Sequence, residues 1–134
     1  MVYTPSRVGE TGVYASLKGS LPGPVTVIRA DTDALRVQDM KTADYRSRHD
    51  GLSHCCGHDM HTASLLGLAM ALKAVQAQLK GEIRLFFQQA EEIGGGAKLF
   101  IEAGLLEGAQ RVIGLHADSS LKSGRVVVKP GPNN

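Results

Sequence analysis

The sequence has no tryptophan, only two cysteines and very little net charge. Aromatic residues make up 4% of its 134 residues, and the formal net charge at pH 7 is +2. A charge this small does not indicate a nucleic-acid partner, because such proteins concentrate Lys and Arg on one face. The basic residues between Asp39 and Asp50 are interspersed with acidic ones, which is typical of a solvated loop. We therefore expect no nucleic-acid partner.

The two cysteines, Cys55 and Cys56, are adjacent, so they cannot form a framework of long-range disulfides. Free thiols favour a reducing compartment, and we expect a cytoplasmic protein. No apolar stretch typical of a signal peptide lies near residue 1, and we expect none to be used. The most apolar segment, 63–77, contains Lys73 and is too short to cross a bilayer. We expect no membrane partner.

The length is that of one ordinary domain, and a composition of 43% hydrophobic and 21% charged residues is typical of a globular one. Strands alternate with helices in the predicted order, which favours an α/β fold with a mostly parallel sheet. The residue patterns predict strands over 11–18, 25–30, 82–88, 111–115 and 124–128, helices over 60–79 and 97–103, a turn over 19–24 and a surface loop over 36–53.

The first predicted helix carries a broad apolar stripe. Ala63, Leu66, Met70 and Ala74 recur at helical spacing, with further leucines beside them. We expect this stripe to be well buried.

Residues 54–61 concentrate three histidines, two cysteines and one aspartate just before that helix. Cys56 and His58 are two residues apart, so in an extended segment both side chains reach one metal ion. Thiolate, imidazole and carboxylate together suit Zn, and also Mn, Co or Ni. The alternative for Cys56 is a small buried apolar side chain.

Three predicted core strands end in polar residues, namely Asp31 and Asp33, Glu91 and Glu92, and His116. In open α/β sheets the carboxyl ends of the strands line the ligand-binding crevice. Paired carboxylates there need a positive charge. A cation would bind one of them and lower the pKa of nearby water, so the other could act as general base. The alternatives are a solvated acidic pair at a helix N-terminus and, for His116, a core histidine.

Other polar residues near the cluster have weaker grounds. One of His54, Asp59 and His61 would orient a ligand. For His54 and Asp59 the alternative is a loop or helix-cap residue. The run Gly94–Gly96 does not match a phosphate-binding loop, since Lys98 is followed by Leu99. We interpret these glycines as a tight turn that lets the backbone approach the metal site.

Four motifs, taken together, resemble the M20 metallopeptidase family. The resemblance is to the branch of N-acyl-amino-acid amidohydrolases, which includes hippurate hydrolase-like and auxin-conjugate hydrolase-like enzymes. Order and spacing agree from about Gly12 onward. The motifs are Arg29–Leu35, Cys56–Ala63, Phe87–Glu92 and Gly114–His116.

The resemblance implies a three-layer α/β/α, zinc-peptidase-like catalytic domain with a mixed, mostly parallel sheet. It implies two divalent metal ions (Zn, Mn, Co or Ni) and hydrolysis of the amide bond of small N-acyl amino acids. Glu91 would be the general base, with Asp33 and His61 as supporting residues. The implied metal ligands are Cys56, His58, Glu92 and His116.

Departures from the family pattern give two further hypotheses. Arg36 and Gln89 replace the usual prolines, and Cys55 replaces a common alanine. By the resemblance, residues 1–134 form a single incomplete catalytic domain, and a lid and dimerisation domain and a C-terminal segment with a further His ligand would follow 130–132.

The second hypothesis is therefore a catalytically inactive fragment that binds metal or oligomerises, and uncovered apolar faces lead us to expect self-association. A third, thiol catalysis by Cys56 with His58 or His61, leaves Glu91, Glu92 and His116 without roles.

Overall fold

The computed structural model describes residues 3–131. Residues 1–2 and 132–134, which the predicted domain also includes, lie outside the described part, as does Pro132 of the expected insertion point. One five-stranded sheet has the order β1-β2-β4-β3-β5. The elements are β1 (Ser6–Val8), β2 (Gly12–Lys18), β3 (Leu21–Asp31), α1 (His58–Ala74), a 3₁₀ turn (Gln76–Gln78), β4 (Lys80–Gln88), α2 (Gly96–Glu102) and β5 (Ala109–Gly114).

The sheet is mixed. β3 pairs in parallel with β4 and β5, whereas β2 pairs antiparallel with β1 and β4. Only β2 therefore runs against the other strands. The predicted mixed, mostly parallel α/β sheet is confirmed, and the carboxyl ends of β3, β4 and β5 lie at one edge.

Two apolar clusters occupy opposite faces of the sheet, because successive strand side chains alternate in direction. Phe86 of β4 belongs to one cluster and stacks on Phe100 of α2, with ring centroids 4.6 Å apart. Its neighbour Leu85 belongs to the other cluster, together with Leu65 and Ala69 of α1. The two helices thus cover opposite faces, as the predicted three-layer arrangement requires.

α1 is less buried than predicted. Leu66 and Met70 are 56% and 71% exposed, whereas Leu65 of the predicted stripe is buried, together with His58, His61 and Ala69. The helix is apolar on most sides, so hydrophobic spacing does not distinguish its faces. The buried face is the one on which His58 contacts Asp33, just after β3, and His61 contacts Asp31, at the end of β3.

The predicted strand over 124–128 is wrong, because the residues after β5 have no regular structure up to Gly131. Val126, Val127 and Val128 are all exposed. Valine favours strands only where a neighbouring strand pairs with it and covers its side chain. No described strand does so here.

The predicted turn over 19–24 is also too long. β3 begins at Leu21, so Pro22 and Pro24 lie within the strand. The pairing with β4 shifts register between Leu21 and Val25, and proline is tolerated at such irregularities. The predicted loop over 36–53 is confirmed, with one bridge between Leu35 and Ser53.

Candidate metal centre

Four segments converge at the carboxyl edge of the parallel strands. They are the end of β3, the start of α1, the turn after β4 and the segment after β5. Three groups of their side chains each place one potential ligand atom per residue within 4.8 Å of one another. The groups are Cys56 with His58 and His116, His58 with Glu91 and Glu92, and Asp31 with His58 and His61.

Cys56 and His116 face each other although 60 positions separate them. The Cys56 Sγ and His116 Nε2 atoms are 3.5 Å apart, and His116 Nδ1 donates to the carbonyl of Ala117 at 2.7 Å. Gly57 has a φ of 84°, a conformation that suits glycine. A Cβ there would also lie 3.3 Å from the Ala117 Cβ, so Gly57 allows the two segments to approach.

His58 has the geometry and surroundings of a candidate metal ligand. Its side chain is buried, and Nδ1 contacts Asp33 Oδ1 at 3.1 Å. Nε2 is buried with no hydrogen-bond partner. It lies 3.7 Å from both Glu92 Oε1 and Asp31 Oδ2. A buried nitrogen lone pair among carboxylates is costly unless something positive lies between them, so the donor set fits a divalent metal.

Asp33 joins two of the converging segments. One carboxylate oxygen contacts His58, and the other accepts the backbone N–H of Glu92 at 3.0 Å. Burial alone would raise the pKa of Asp33, but the hydrogen bonds it accepts, first that from Glu92, lower it below its ordinary value. Asp33 is therefore a carboxylate at neutral pH and can accept a hydrogen bond from His58 Nδ1.

The turn that carries Glu91 and Glu92 is tightly wound. Ala90 has a left-handed φ of 54°, and its carbonyl accepts the N–H groups of Gly95 and Gly96. A Cβ on Gly96 would lie 1.5 Å from the carbonyl oxygen of Gln89. The close approach that requires glycine is thus to the backbone of Gln89, which corrects the expectation that it is to the metal site.

The electrostatics of Cys56 do not favour a free nucleophilic thiolate. Burial raises the pKa of Cys56, and the hydrogen bond with Glu92 and the charges of Glu92 and Glu91 raise it further, to about 11. Reactive cysteines lie in electropositive surroundings instead. The thiol-catalysis hypothesis therefore loses support, and the same carboxylates favour a cation.

Asp31 is predicted from the sequence as a polar strand end at the crevice, without a specific role, and the structure places it beside the candidate ligands. It is fully buried, contacts His61 Nδ1 at 2.5 Å and forms an ion pair with Arg29 at 2.8 Å. Its position after an apolar strand was the available signal. His54 and Asp59 join no ligand group among the described residues, and Asp59 accepts the N–H of Met60.

A family model described as peptidase family M20/M25/M40 matches residues 27–131. The chain belongs to the M20 peptidase family. An M20 protein of known structure from Bacillus subtilis, the YXEP protein, is described as a dinuclear metal-binding peptidase. It superposes with a TM-score of 0.91 at 45% identity, over 97% of this chain and 37% of that one. The predicted family and fold are thereby confirmed.

Two relatives place the M20 chain near the predicted amidohydrolase branch. N-acetylcysteine deacetylase of Bacillus subtilis is 48% identical over 92% of this chain and 32% of its own length. N-acyl-L-amino acid amidohydrolase of Geobacillus stearothermophilus is 44% identical over 95% of this chain and 35% of its own. The chain thus spans about a third of the length of these relatives. None of its described helices is long and apolar enough to cross a membrane.

Proposed function

We propose that this M20 chain belongs to a metal-dependent amidohydrolase that cleaves the amide bond of small N-acyl amino acids. One observation carries the proposal: His58 Nε2 is buried without a partner, between Glu92 and Asp31 and close to the Cys56–His116 pair. The names of the two curated relatives support the substrate class.

Cys56, His58, Glu92 and His116 would hold two divalent ions, drawn from Zn, Mn, Co and Ni. When bound, such ions lower the pKa of water beside them towards about 7 and polarise a carbonyl. Asp33 and His61 would support the ligands. The description of the Bacillus subtilis structure as dinuclear supports the number of ions.

Glu91 would act as the general base. It neighbours Glu92 in the turn after β4 and lies in the same ligand group as His58. Its carboxylate takes a proton from the attacking water as the new carbon–oxygen bond forms. The proton then passes to the leaving nitrogen as the carbon–nitrogen bond breaks, which releases an acyl acid and an amino acid.

Hydrolysis of N-acetyl and N-benzoyl amino acids by the purified chain, with added Mn²⁺ or Zn²⁺, tests the proposal. We expect chelator-sensitive turnover that Glu91→Gln abolishes. Glu102→Gln is the matched control, because Glu102 is an exposed residue of α2 paired with Lys98. Chelator-insensitive turnover blocked by a thiol alkylator would contradict the metal mechanism and favour Cys56.

A second candidate is a fragment that binds metal without turnover. The share of the relatives that the chain spans, about a third, favours it. Stoichiometric metal binding with no hydrolysis of any of these substrates would support this candidate.

Two further expectations belong to the same proposal. The free cysteines favour the cytoplasm. Exposed apolar residues on β5, Val112 at 63% and Ile113 at 51%, favour self-association. Sedimentation of the purified chain across a concentration series tests the second, and a monomer at all concentrations would contradict it.

A further inference from the structure

His61 lies in one of the three groups that are close enough to share an ion, together with Asp31 and His58. Proximity alone does not make it a ligand, because a ligand needs a free lone pair. His61 is 1% exposed, and both of its ring nitrogens have partners. Nδ1 lies 2.5 Å from Asp31 Oδ1, and Nε2 lies 2.7 Å from the backbone nitrogen of Ala117.

These two partners determine the protonation of the ring. The backbone N–H of Ala117 can only donate, so His61 Nε2 must carry a lone pair. Asp31 is an acceptor here, because its carboxylate forms an ion pair with the Arg29 guanidinium at 2.8 Å. Nδ1 therefore carries the hydrogen and donates it. The neutral ring has no lone pair left for a metal.

Further hydrogen bonds hold Asp31 in place at the end of β3, so His61 is hydrogen-bonded to the sheet through Asp31. Arg29 donates to the Asp31 carboxylate at 2.8 Å and to Gln88 Oε1 at 2.9 Å. Thr62 of α1 donates to the Asp31 carbonyl at 3.0 Å. The hydrogen-bonded chain from Arg29 through Asp31 and His61 ends at the N–H of Ala117.

The segment that carries His116 has little other support. His116 and Ala117 follow β5 outside any regular element. In the described part of the chain, the only other hydrogen bond from this segment to a distant residue is between His116 and Cys56. Holding the backbone at Ala117 therefore limits the positions that the preceding side chain can reach.

We propose that His61 is a positioning residue and not a metal ligand: it accepts the Ala117 N–H and thereby places His116 opposite Cys56. The expected effect on metal binding rests on the proposed function. The hydrogen bond between Ala117 and His61 does not, so either statement can be disproved without the other.

Two substitutions test the roles of the two ring nitrogens of His61 separately. In His61→Gln the terminal amide oxygen can take the place of Nε2 and still accept the Ala117 N–H. In His61→Asn the amide takes the place of Nδ1, so the contact with Asp31 can remain while the acceptor for Ala117 is lost. A ligand role predicts equal damage from both, since neither amide replaces an imidazole.

The first measurement is made by NMR without metal. In the unsubstituted protein we expect slow exchange of the Ala117 amide and a ¹⁵N shift of an unprotonated Nε2 at His61. Protection of Ala117 should persist in His61→Gln and disappear in His61→Asn. Fast Ala117 exchange or a protonated Nε2 in the unsubstituted protein would overturn the proposal, even if neither variant folds.

The second measurement is titration with Co²⁺, which reports a thiolate ligand by its absorption. We expect affinity about 10–100-fold weaker in His61→Asn, as for other residues that orient ligands, and close to the original in His61→Gln. Equal losses in two folded variants would assign His61 as a ligand and overturn the proposal. If the unsubstituted chain binds no Co²⁺, the proposed metal site fails, and the NMR result still decides the role of His61.

Discussion

His58 Nδ1 and Asp33 Oδ1 are 3.1 Å apart, and this contact joins the first turn of α1 to the segment that follows β3. Because the second oxygen of Asp33 accepts the N–H of Glu92, one carboxylate positions two candidate ligands. Such a partner fixes the orientation of the imidazole and keeps its other nitrogen free for a metal.

Asp33→Asn should therefore weaken metal binding without unfolding the chain. An amide is neutral and a poorer acceptor for His58 Nδ1–H, and we expect about 10–100-fold lower affinity for Zn²⁺ or Co²⁺. Competition titration against a chromophoric chelator measures it. Asp44→Asn, in the surface loop, is the control. Equal affinities for both variants would show that Asp33 does not orient the site.

Protonation of Asp39 at low pH should weaken the hydrogen bonds that it accepts in the loop over 36–53. The N–H groups of Ser47 and Lys41, and the Lys41 ammonium, lower the pKa of Asp39 from 3.8 to about 2. Because the pKa of Asp39 is lower in the folded chain than in the unfolded chain, its stabilisation is complete above the unfolded-state pKa. The stabilisation is lost as pH falls through the folded-state pKa. Exchange of the Ser47 amide should accelerate as pH falls from about 4 to about 2, relative to an unstructured peptide. In Asp39→Asn the exchange of the Ser47 amide should already be fast at pH 5. Persistent protection of that amide in the variant would contradict the role given to Asp39.

The chain is expected to be more stable with glycine than with alanine at position 90. The φ of 54° at Ala90 costs an L-residue about 1–2 kcal/mol, which glycine avoids. Ala90→Gly should raise the free energy of unfolding by about 1 kcal/mol in urea. Ala97→Gly, inside α2, should instead lower it by about 0.5–1 kcal/mol. Destabilisation by both substitutions would show that the left-handed turn is not strained.

Gly96 and Gly95 form a matched pair of neighbours. A Cβ on Gly96 would overlap the Gln89 carbonyl, whereas one on Gly95 would meet nothing within 4 Å. Gly96→Ala should destabilise the chain by about 1–3 kcal/mol or more and displace the Glu91–Glu92 turn. Gly95→Ala should be close to neutral. Urea unfolding and metal titration of both variants check this, and similar results for the two would contradict it.

The ends of the strands could be predicted from the sequence because an apolar run and the polar residue that ends it are both local patterns. An apolar run that stops at Asp31 or at Glu91 marks a strand end, and parallel strands bring such ends together. Cys56 and His58 could be proposed as ligands for the same reason, since their spacing is visible in the chain.

Features that depend on distant partners could not be predicted in this way. The face of α1 that is buried is the one on which His58 and His61 contact Asp33 and Asp31, and no periodicity in the helix records these contacts. Val126–Val128 form no strand because no described strand pairs with them. The role of His61 depends on a backbone N–H 56 positions away, and a backbone donor has no signature in the sequence.

The central claim is that Cys56 and its neighbours bind a divalent metal. Titration of the reduced chain with Co²⁺, followed by thiolate-to-cobalt absorption, tests it most directly. Cys55 is exposed and lies outside every ligand group, so Cys55→Ser is the matched control for Cys56→Ser. We predict that the absorption forms in the unsubstituted chain and in Cys55→Ser and is lost in Cys56→Ser. Its absence from the unsubstituted chain, or its persistence in Cys56→Ser, would contradict the account.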